Sequence, residues 1–256
     1  MEKSITSEDR EIEKYLRENK LFPNTSAPWQ QKILNELLSN IKISKNNTCL
    51  DLACGIGNNI ETITNYFNNI KGTDRSAEAI KFVKYRHGNL NKINIDFSVD
   101  DIFMLSSKKE QFDCIVCTEA MEHINNYQKA IDNIFLATKN KGYVIISFQN
   151  HFNLTAIYKY LFEKIYKRNW DVWGTHNYEH GYENYLNCFE MRKAVKNSGF
   201  MILKEIGADY INAWLFWIPF LYKNYKILNK YPMLILGKIP IIKYFGMDYF
   251  MLLKKK

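Results

Sequence analysis

The chain has 256 residues, 46% hydrophobic and 24% charged, which is enough apolar material for the core of one large α/β domain. This composition excludes a disordered tail, a coiled coil and a disulfide-rich miniprotein. The net charge is +8, but residues 211–256 alone hold eight lysines against Asp248, which leaves the rest of the chain near neutral. That distribution argues against a uniformly basic nucleic-acid-binding protein.

Helical patterns come first in the chain. Residues 1–45 predict an N-terminal helical cap of two helices, with one start at Ser7 and another at Ser26 and Pro28. From Thr48 to Phe148, short apolar runs then alternate with helical patterns. This rhythm predicts an α/β fold with a Rossmann-like, doubly wound, mostly parallel sheet, which binds ligands at the carboxyl ends of its strands.

The remainder of this domain, taken as residues 46–256, is less regular. Residues 151–186 predict an aromatic helix and then a polar, histidine-bearing substrate loop. A helix is expected around 189–197 and strands at 200–206 and 249–255. Between these two strands lies a basic aromatic insertion at 210–246, expected to form a helical cap.

The clearest motif is the loop DLACGIG, from Asp51 to Gly57. A buried strand leads into Gly55 and Gly57, and a helix follows at once, so the backbone can approach a ligand and the helix start offers free amides. A dinucleotide site would need a third glycine where Ile60 stands. Asp51 would repel a phosphate and suits an ammonium group.

Acids follow the next two predicted strands. Asp74 ends the second strand, where a carboxylate accepts hydrogen bonds from a ribose diol. Asp100 and Asp101 follow the third strand, near the place of an adenine. Asp51 suits an amine, Asp74 suits a ribose, and the polar residues after the third strand suit an adenine. This set of groups fits S-adenosylmethionine better than a dinucleotide. The plainer alternative is that the glycines only form a tight turn and the aspartates cap helices.

From about Thr48 to Phe148 the sequence resembles the class I S-adenosylmethionine-dependent methyltransferases. The resemblance implies a seven-stranded sheet and S-adenosylmethionine as cofactor, with Ala53 standing where many members have a glycine. It implies that Asp74 binds the ribose and that Asp100 meets the adenine amino group. The cofactor-binding residues expected on this basis are Asp51, Ala53, Gly55, Gly57, Asp74, Arg75, Asp100, Asp101 and Thr118.

An acid-histidine run, EAMEH, follows the fourth predicted strand. A helical turn starting near Thr118 would let Glu119, Glu122 and His123 converge. Two carboxylates and an imidazole can hold a divalent cation such as Mg²⁺, which lowers the pKa of a nearby hydroxyl. Without a metal, His123 and Glu122 are the candidates for direct catalysis, with His123 as the base. A packing role for His123 is the plain alternative.

This run is similar to that of the ubiquinone-biosynthesis O-methyltransferases and of the small-RNA terminal 2′-O-methyltransferases. The resemblance implies a metal bound by Glu119, Glu122 and His123 together with a ligand from a later loop. His176, in a Gly-Thr-His loop similar to that of the quinone-pathway enzymes, would complete the set, with His180 as the substitute.

Two further patterns concern location and partners. The basic aromatic composition of residues 211–256 is equally compatible with peripheral contact with an anionic membrane and with a helical cap whose lysines face water. Nucleic acid ranks lower as a partner, because this segment has no arginine. Five cysteines and a polar start without a signal-peptide pattern predict a reducing, cytoplasmic compartment. The protein is expected there or on the inner face of a membrane.

These patterns together predict an S-adenosylmethionine-dependent methyltransferase that methylates a hydroxyl on a small or lipid-like acceptor, of the quinone-precursor or glycan type. An RNA methyltransferase is the second hypothesis. A non-catalytic Rossmann-like protein that docks on a membrane is the third.

Overall fold

A seven-stranded sheet forms the centre of the protein, in a computed structural model that describes residues 7–18, 28–88, 93–107, 109–153, 184–210, 224 and 235–256. The strands are β1 (Thr48–Leu52), β2 (Asn69–Asp74), β3 (Asn94–Val99), β4 (Phe112–Cys117), β5 (Thr138–Gln149), β6 (Phe200–Ala208) and β7 (Asp248–Lys255). The helices are α1 (Ser7–Arg17), α2 (Pro28–Ser39), α3 (Ile60–Thr64), α4 (Ala77–His87), α5 (Tyr127–Ala137) and α6 (Cys188–Asn197).

The strand order is β3-β2-β1-β4-β5-β7-β6. Strands β1 to β5 pair in parallel, and β7 lies antiparallel between β5 and β6. Parallel neighbours need crossover connections, and helices supply most of them here. The predicted Rossmann-like, mostly parallel sheet is confirmed. Because its parallel strands end at one edge, the loops after β1, β2 and β4 meet there.

Apolar side chains cover both faces of the sheet, as expected for parallel strands. On the first face, α2 packs Ile33 and Leu37 into a cluster that contains Cys114. Cys117 belongs to the cluster on the opposite face, together with residues of α5 and α6. The predicted opposite orientation of these two cysteines is therefore confirmed, and all five cysteines of the chain are free and buried.

Two elements differ in length from their sequence patterns. The helical pattern after the glycine loop extends to about residue 70, but α3 ends at Thr64 because the chain must turn back into β2 at Asn69. The apolar run of β5 begins at Gly142, yet the strand begins at Thr138, which pairs with Phe112 of β4. No helix among the described residues is long and apolar enough to cross a membrane.

Candidate active site

The loop after β1 is fastened to the end of β2 by Asp74. One carboxylate oxygen, Oδ2, accepts a hydrogen bond from the Gly55 backbone N–H at 2.9 Å, and Oδ1 accepts one from the Ser76 N–H at 2.8 Å. Asp74 is half-buried. Its carboxylate thus fixes the glycine loop and remains accessible at the edge of the sheet where a ribose is expected.

The loop passes three times through the left-handed backbone region, at Ala53 (φ 56°), Gly55 (φ 50°) and Gly57 (φ 81°). Ala53 stays there at a strain of about 1 kcal/mol, since its Cβ crowds the following carbonyl. A Cβ added at Gly55 would meet no atom within 4 Å. The backbone at Gly55 therefore faces open space that a ligand can enter.

Gly57 is closely packed against α4. A Cβ added there would lie 2.5 Å from a Val83 methyl and 2.9 Å from the His87 ring. His87 Nε2 lies 3.1 Å from the Gly57 carbonyl oxygen. Burial, with the nearby Arg86 charge, lowers the pKa of His87. The neutral His87 ring therefore donates a hydrogen bond from Nε2 to the Gly57 carbonyl and so stabilises the glycine loop.

Asp51 is fully buried on β1, beneath the loop. Its Oδ1 accepts a hydrogen bond from Asn59 Nδ2 at 3.4 Å, while Oδ2 has no hydrogen-bond partner among the described residues. Burial raises its pKa to about 7, and the Asp74 carboxylate adds to the effect against the Asn59 hydrogen bond. A buried carboxyl oxygen of this kind fits a ligand's ammonium group.

Asp51→Asn is expected to stabilise the cofactor-free protein at about pH 8 by about 2–4 kcal/mol and to change little at about pH 4. The folded protein keeps the Asp51 proton up to about pH 7, whereas the unfolded chain loses it near the ordinary pKa of 3.8. The unfolded chain therefore binds fewer protons between these values, and stability falls as the pH rises through them. Urea unfolding across this pH range measures the difference.

Asp96→Asn, at an exposed position on β3, is the matched control for this measurement. The Asp51→Asn variant is also expected to bind S-adenosylhomocysteine more weakly, because an amide carries no charge to pair with an ammonium group. A stabilisation that is the same at every pH would contradict the raised pKa.

A small cavity of about 20 Å³, room for about one water molecule, lies at the end of β4. Asn59 donates to Thr118 Oγ1 at 2.8 Å as well as to Asp51, so it joins the ends of β1 and β4. Asn59 was not among the predicted site residues, although it lies only two residues after Gly57 of the glycine loop. The cavity is lined by Gln30, Leu34, Asn59, Thr118, Glu119, Ser147 and Phe250.

The first turn of α2 reaches into this cavity region with three consecutive side chains. Trp29 Nε1 donates to Asp248 Oδ2 at 2.8 Å, and Gln30 donates to Glu119. Gln31 Nε2 donates to Asn59 Oδ1 at 3.3 Å. Neither α2 nor Asp248 was expected in the site. The spacing of apolar and polar residues in α2 did predict a helix. No pattern in the sequence near α2 indicated which edge of the sheet this helix covers.

Two carboxyl groups with raised pKa values face each other at this position. Desolvation of its carboxyl group raises the pKa of Glu119 well above its ordinary value, although the residue as a whole is exposed, and the Asp248 carboxylate adds to the shift. Burial likewise raises the pKa of Asp248, against the hydrogen bonds from Trp29 and Gln30. Loss of the Trp29 indole or of the Gln30 amide as a hydrogen-bond donor would therefore raise the pKa of Asp248 further.

The acid-histidine run does not form the expected helical turn. The turn is a short 3-10 segment over Met121–His123, and Glu119 precedes it in a left-handed conformation with φ 53°. Glu122 is only 1% exposed, and its carbonyl accepts a hydrogen bond from the Asn184 N–H. The expectation of one helical turn from Thr118 was therefore wrong.

The described residues do not fit the predicted metal site. They contain no group of three or more His, Cys, Asp or Glu side chains that could hold a metal ion. His176 and His180 lie outside the described residues, as does most of the predicted substrate loop at 151–186. We therefore derive no step through a divalent cation, and the catalytic roles of His123 and Glu122 stay predictions.

The remaining predicted cofactor residues follow β2 and β3. The Asp100 N–H donates to the Asp74 carbonyl at 3.0 Å, which brings the ends of these two strands together. Asp100 Oδ1 accepts from the Asp101 N–H, and Asp101 Oδ1 from the Phe103 N–H. Arg75 is exposed beside Asp74. The structure thus brings Asp51, Asp74 and Asp100 to one edge in the predicted order.

Three features lie at one edge of this seven-stranded sheet. They are a glycine loop open to a ligand, a buried acid suited to an ammonium group, and an acid suited to a ribose. These features define a class I S-adenosylmethionine-dependent methyltransferase, whose cofactor the residues Asp51, Gly55 and Asp74 are suited to bind.

The comparisons agree with this class. A family model described as a methyltransferase domain matches residues 24–205, more than half of the chain, so the chain belongs to this family. The chain is 26% identical over 166 residues to the ubiquinone biosynthesis O-methyltransferase of Coxiella burnetii, covering 63% of this chain and 66% of that protein, just under two thirds of its length.

Two further similarities extend the comparison. The chain is 31% identical over 185 residues to the ubiquinone biosynthesis O-methyltransferase of Pelagibacter ubique, covering 70% of this chain and 73% of that protein. A solved S-adenosylmethionine-dependent methyltransferase from Mesorhizobium loti has a TM-score of 0.58 at 13% identity, covering 91% of this chain and 99% of that one. The latter likeness concerns the fold alone.

Proposed function

We propose that this protein transfers the methyl group of S-adenosylmethionine to a hydroxyl oxygen of a small or lipid-like acceptor, with a phenolic quinone precursor as the first candidate. The observation that carries the proposal is the similarity to two ubiquinone biosynthesis O-methyltransferases, at 26% and 31% identity. The polar side chains at the end of β4 support it, because Asn59 there joins Thr118 to Asp51, beside the loop that would hold the methionine part of the cofactor.

The reaction is an in-line displacement. The acceptor oxygen forms a bond to the methyl carbon, the carbon–sulfur bond breaks, and its electron pair stays on sulfur to give S-adenosylhomocysteine. The chain's contribution is alignment of the two reactants and placement of charge. Asp51 would hold the ammonium group of S-adenosylmethionine and Asp74 its ribose, so that both ends of the methyl donor are anchored.

His123 receives the proton of the acceptor hydroxyl in this proposal. It is half-buried and ends the 3-10 turn that follows β4, four residues after Glu119, which lines the cavity. A positioned imidazole is the commonest group for such a proton transfer. The carboxylate of the neighbouring Glu122 is buried and lies away from solvent.

Methyl transfer from isotopically labelled S-adenosylmethionine to a panel of acceptors tests this function. The panel contains a catechol with a short prenyl chain, a primary amine and a short RNA, and mass spectrometry locates the methyl group. We expect label on the catechol oxygen. Label on the amine nitrogen or on RNA alone would overturn the proposed acceptor class and leave the enzyme class standing.

His123→Ala is expected to lower kcat by about 100-fold or more, while the affinity for S-adenosylhomocysteine stays unchanged. Asn125→Ala, at an exposed position two residues further along, is the control and should keep its activity. If His123→Ala retains full kcat, another group takes the proton.

A further inference from the structure

Three isoleucines of one short segment are exposed on the protein surface. Ile235 is 69% exposed, Ile239 38% and Ile241 70%. Single exposed apolar residues are normal on protein surfaces, but three within seven residues form a patch. The segment lies at the carboxyl end of β6, next to the edge of the sheet that holds the cofactor loop.

Backbone packing holds this segment firmly in place. The Gly207 N–H of β6 donates to the Gly237 carbonyl at 3.0 Å. A Cβ added at Gly237 would lie 1.9 Å from the Gly207 oxygen, and one at Gly246 would lie 2.6 Å from the Ala208 nitrogen. The glycines therefore permit an approach that no other residue allows. As a result, the isoleucines project from a fixed backbone.

Ile241 has an unfavourable backbone conformation. Its φ of 77° and ψ of −57° are those of a classic γ-turn, which is rare and strained, and a β-branched residue tolerates it poorly. Glycine would relieve the strain, and a polar side chain would suit the exposure. The demands of folding do not explain an isoleucine here, and strain of this kind is typical of functional surfaces.

The charges around the patch are positive on balance. Glu36 pairs with Lys204 at 2.7 Å and with Lys238 at 2.8 Å, so one carboxylate meets two ammonium groups. Glu205 in the same way pairs with both Arg192 and Lys243. Each cluster therefore keeps one positive charge in excess, and Lys238 and Lys243 belong to the described segment 235–245 itself.

Aromatic rings extend the patch toward the end of β5. Phe152 is 38% exposed and its ring centroid lies 5.3 Å from that of Phe245. Phe189 is 48% exposed and lies 5.3 Å from Tyr244, which directly precedes Phe245. Partly exposed rings beside basic groups suit the boundary between lipid headgroups and hydrocarbon.

We propose that the face formed by Ile235, Ile239 and Ile241, continued by Phe152 and Phe189, docks on an anionic lipid bilayer. The isoleucines enter the headgroup boundary, and the excess positive charge selects anionic lipids. This surface stands independently of the acceptor, because it rests on exposure, backbone strain and charge outside the cofactor site.

Flotation with vesicles tests the docking surface. The full chain is expected to float with vesicles of phosphatidylcholine and phosphatidylglycerol, and much less with phosphatidylcholine alone or at high salt. Ile239→Asp should lower the bound fraction several-fold, and Ile235→Asp with Ile241→Asp about tenfold or more. Leu136→Asp is the matched control, since Leu136 on α5 is 39% exposed against 38% for Ile239. Absence of flotation, or an equal loss in the control, would overturn the proposal.

Ile241→Gly separates docking from stability. This variant is expected to unfold at a higher temperature than the unchanged protein, because it relieves the strained φ, and yet to bind vesicles more weakly. A variant that binds equally well would exclude Ile241 from the surface. Titration with S-adenosylhomocysteine, expected to be unchanged in all these variants, keeps failure of this proposal distinct from failure of the proposed function.

Discussion

Asp74→Ala is expected to weaken binding of S-adenosylhomocysteine about 100-fold or more. Hydrogen bonds to a charged acceptor contribute about 1.5–3 kcal/mol each, and a ribose diol can donate two of them to this carboxylate. The substitution also removes the acceptor of the Gly55 and Ser76 N–H groups, so the glycine loop loses its attachment to β2. Isothermal titration of the purified protein measures the change.

The control for this prediction is Asp96→Ala on the exposed face of β3, which should bind the ligand normally. NAD and NADP titrated alongside should give no binding to the unchanged protein. Retention of S-adenosylhomocysteine affinity in Asp74→Ala, with the fold intact by circular dichroism, would remove Asp74 from the ribose site. Binding of NADP instead would assign Arg75 and its surroundings to a phosphorylated ribose.

Gly57→Ala is expected to lower the free energy of unfolding by about 3 kcal/mol. Its φ of 81° disfavours a side chain, and the added methyl would overlap Val83 and the His87 ring at 2.5 and 2.9 Å. Both neighbours are buried in place, and the His87 ring also contacts the Gly57 carbonyl. The core must therefore shift to make room, and urea unfolding measures the loss.

Gly55→Ala is the matched partner of that substitution. The same methyl in the same loop, at φ 50°, meets nothing within 4 Å, so the loss of stability should be only about 1 kcal/mol. Its methyl instead enters the space open to the cofactor, and binding of S-adenosylhomocysteine should fall sharply. Equal destabilisation by the two substitutions would show that strain alone, and not the packing of α4, governs this loop.

The parts of the fold that depend on local sequence were predictable. The strand that carries Asp51, the glycine loop and the acid at Asp74 follow from short patterns, because strand, turn and helix start must succeed one another for the loop to form. The succession of β1 to β5 along the chain and their parallel pairing followed from the alternation of strand and helix patterns. The family resemblance implied seven strands, whereas the position of β7 between β5 and β6 was not predicted.

The contacts between distant segments were not predictable in this way. Trp29 and Asp248 are 219 residues apart, and no periodicity relates them. The convergence expected for Glu119 with His123 assumed one helical turn, whereas the left-handed backbone at Glu119 directs its side chain toward Gln30. The sequence pattern locates Glu119 correctly after β4. The left-handed conformation of this one residue then determines the direction of its side chain, and the pattern does not predict that conformation.

The position of β7 also orders events during synthesis of the protein. β6 pairs only with β7 in the described sheet, and β7 follows it by some forty residues in the chain. While the chain is being synthesised, β6 therefore has no strand to pair with until β7 follows. The α2 contact through Trp29 must likewise wait for Asp248. Both the pairing of β6 and the contact that holds α2 against the start of β7 are therefore completed only after the glycine loop and the acid at the end of β2 have been synthesised.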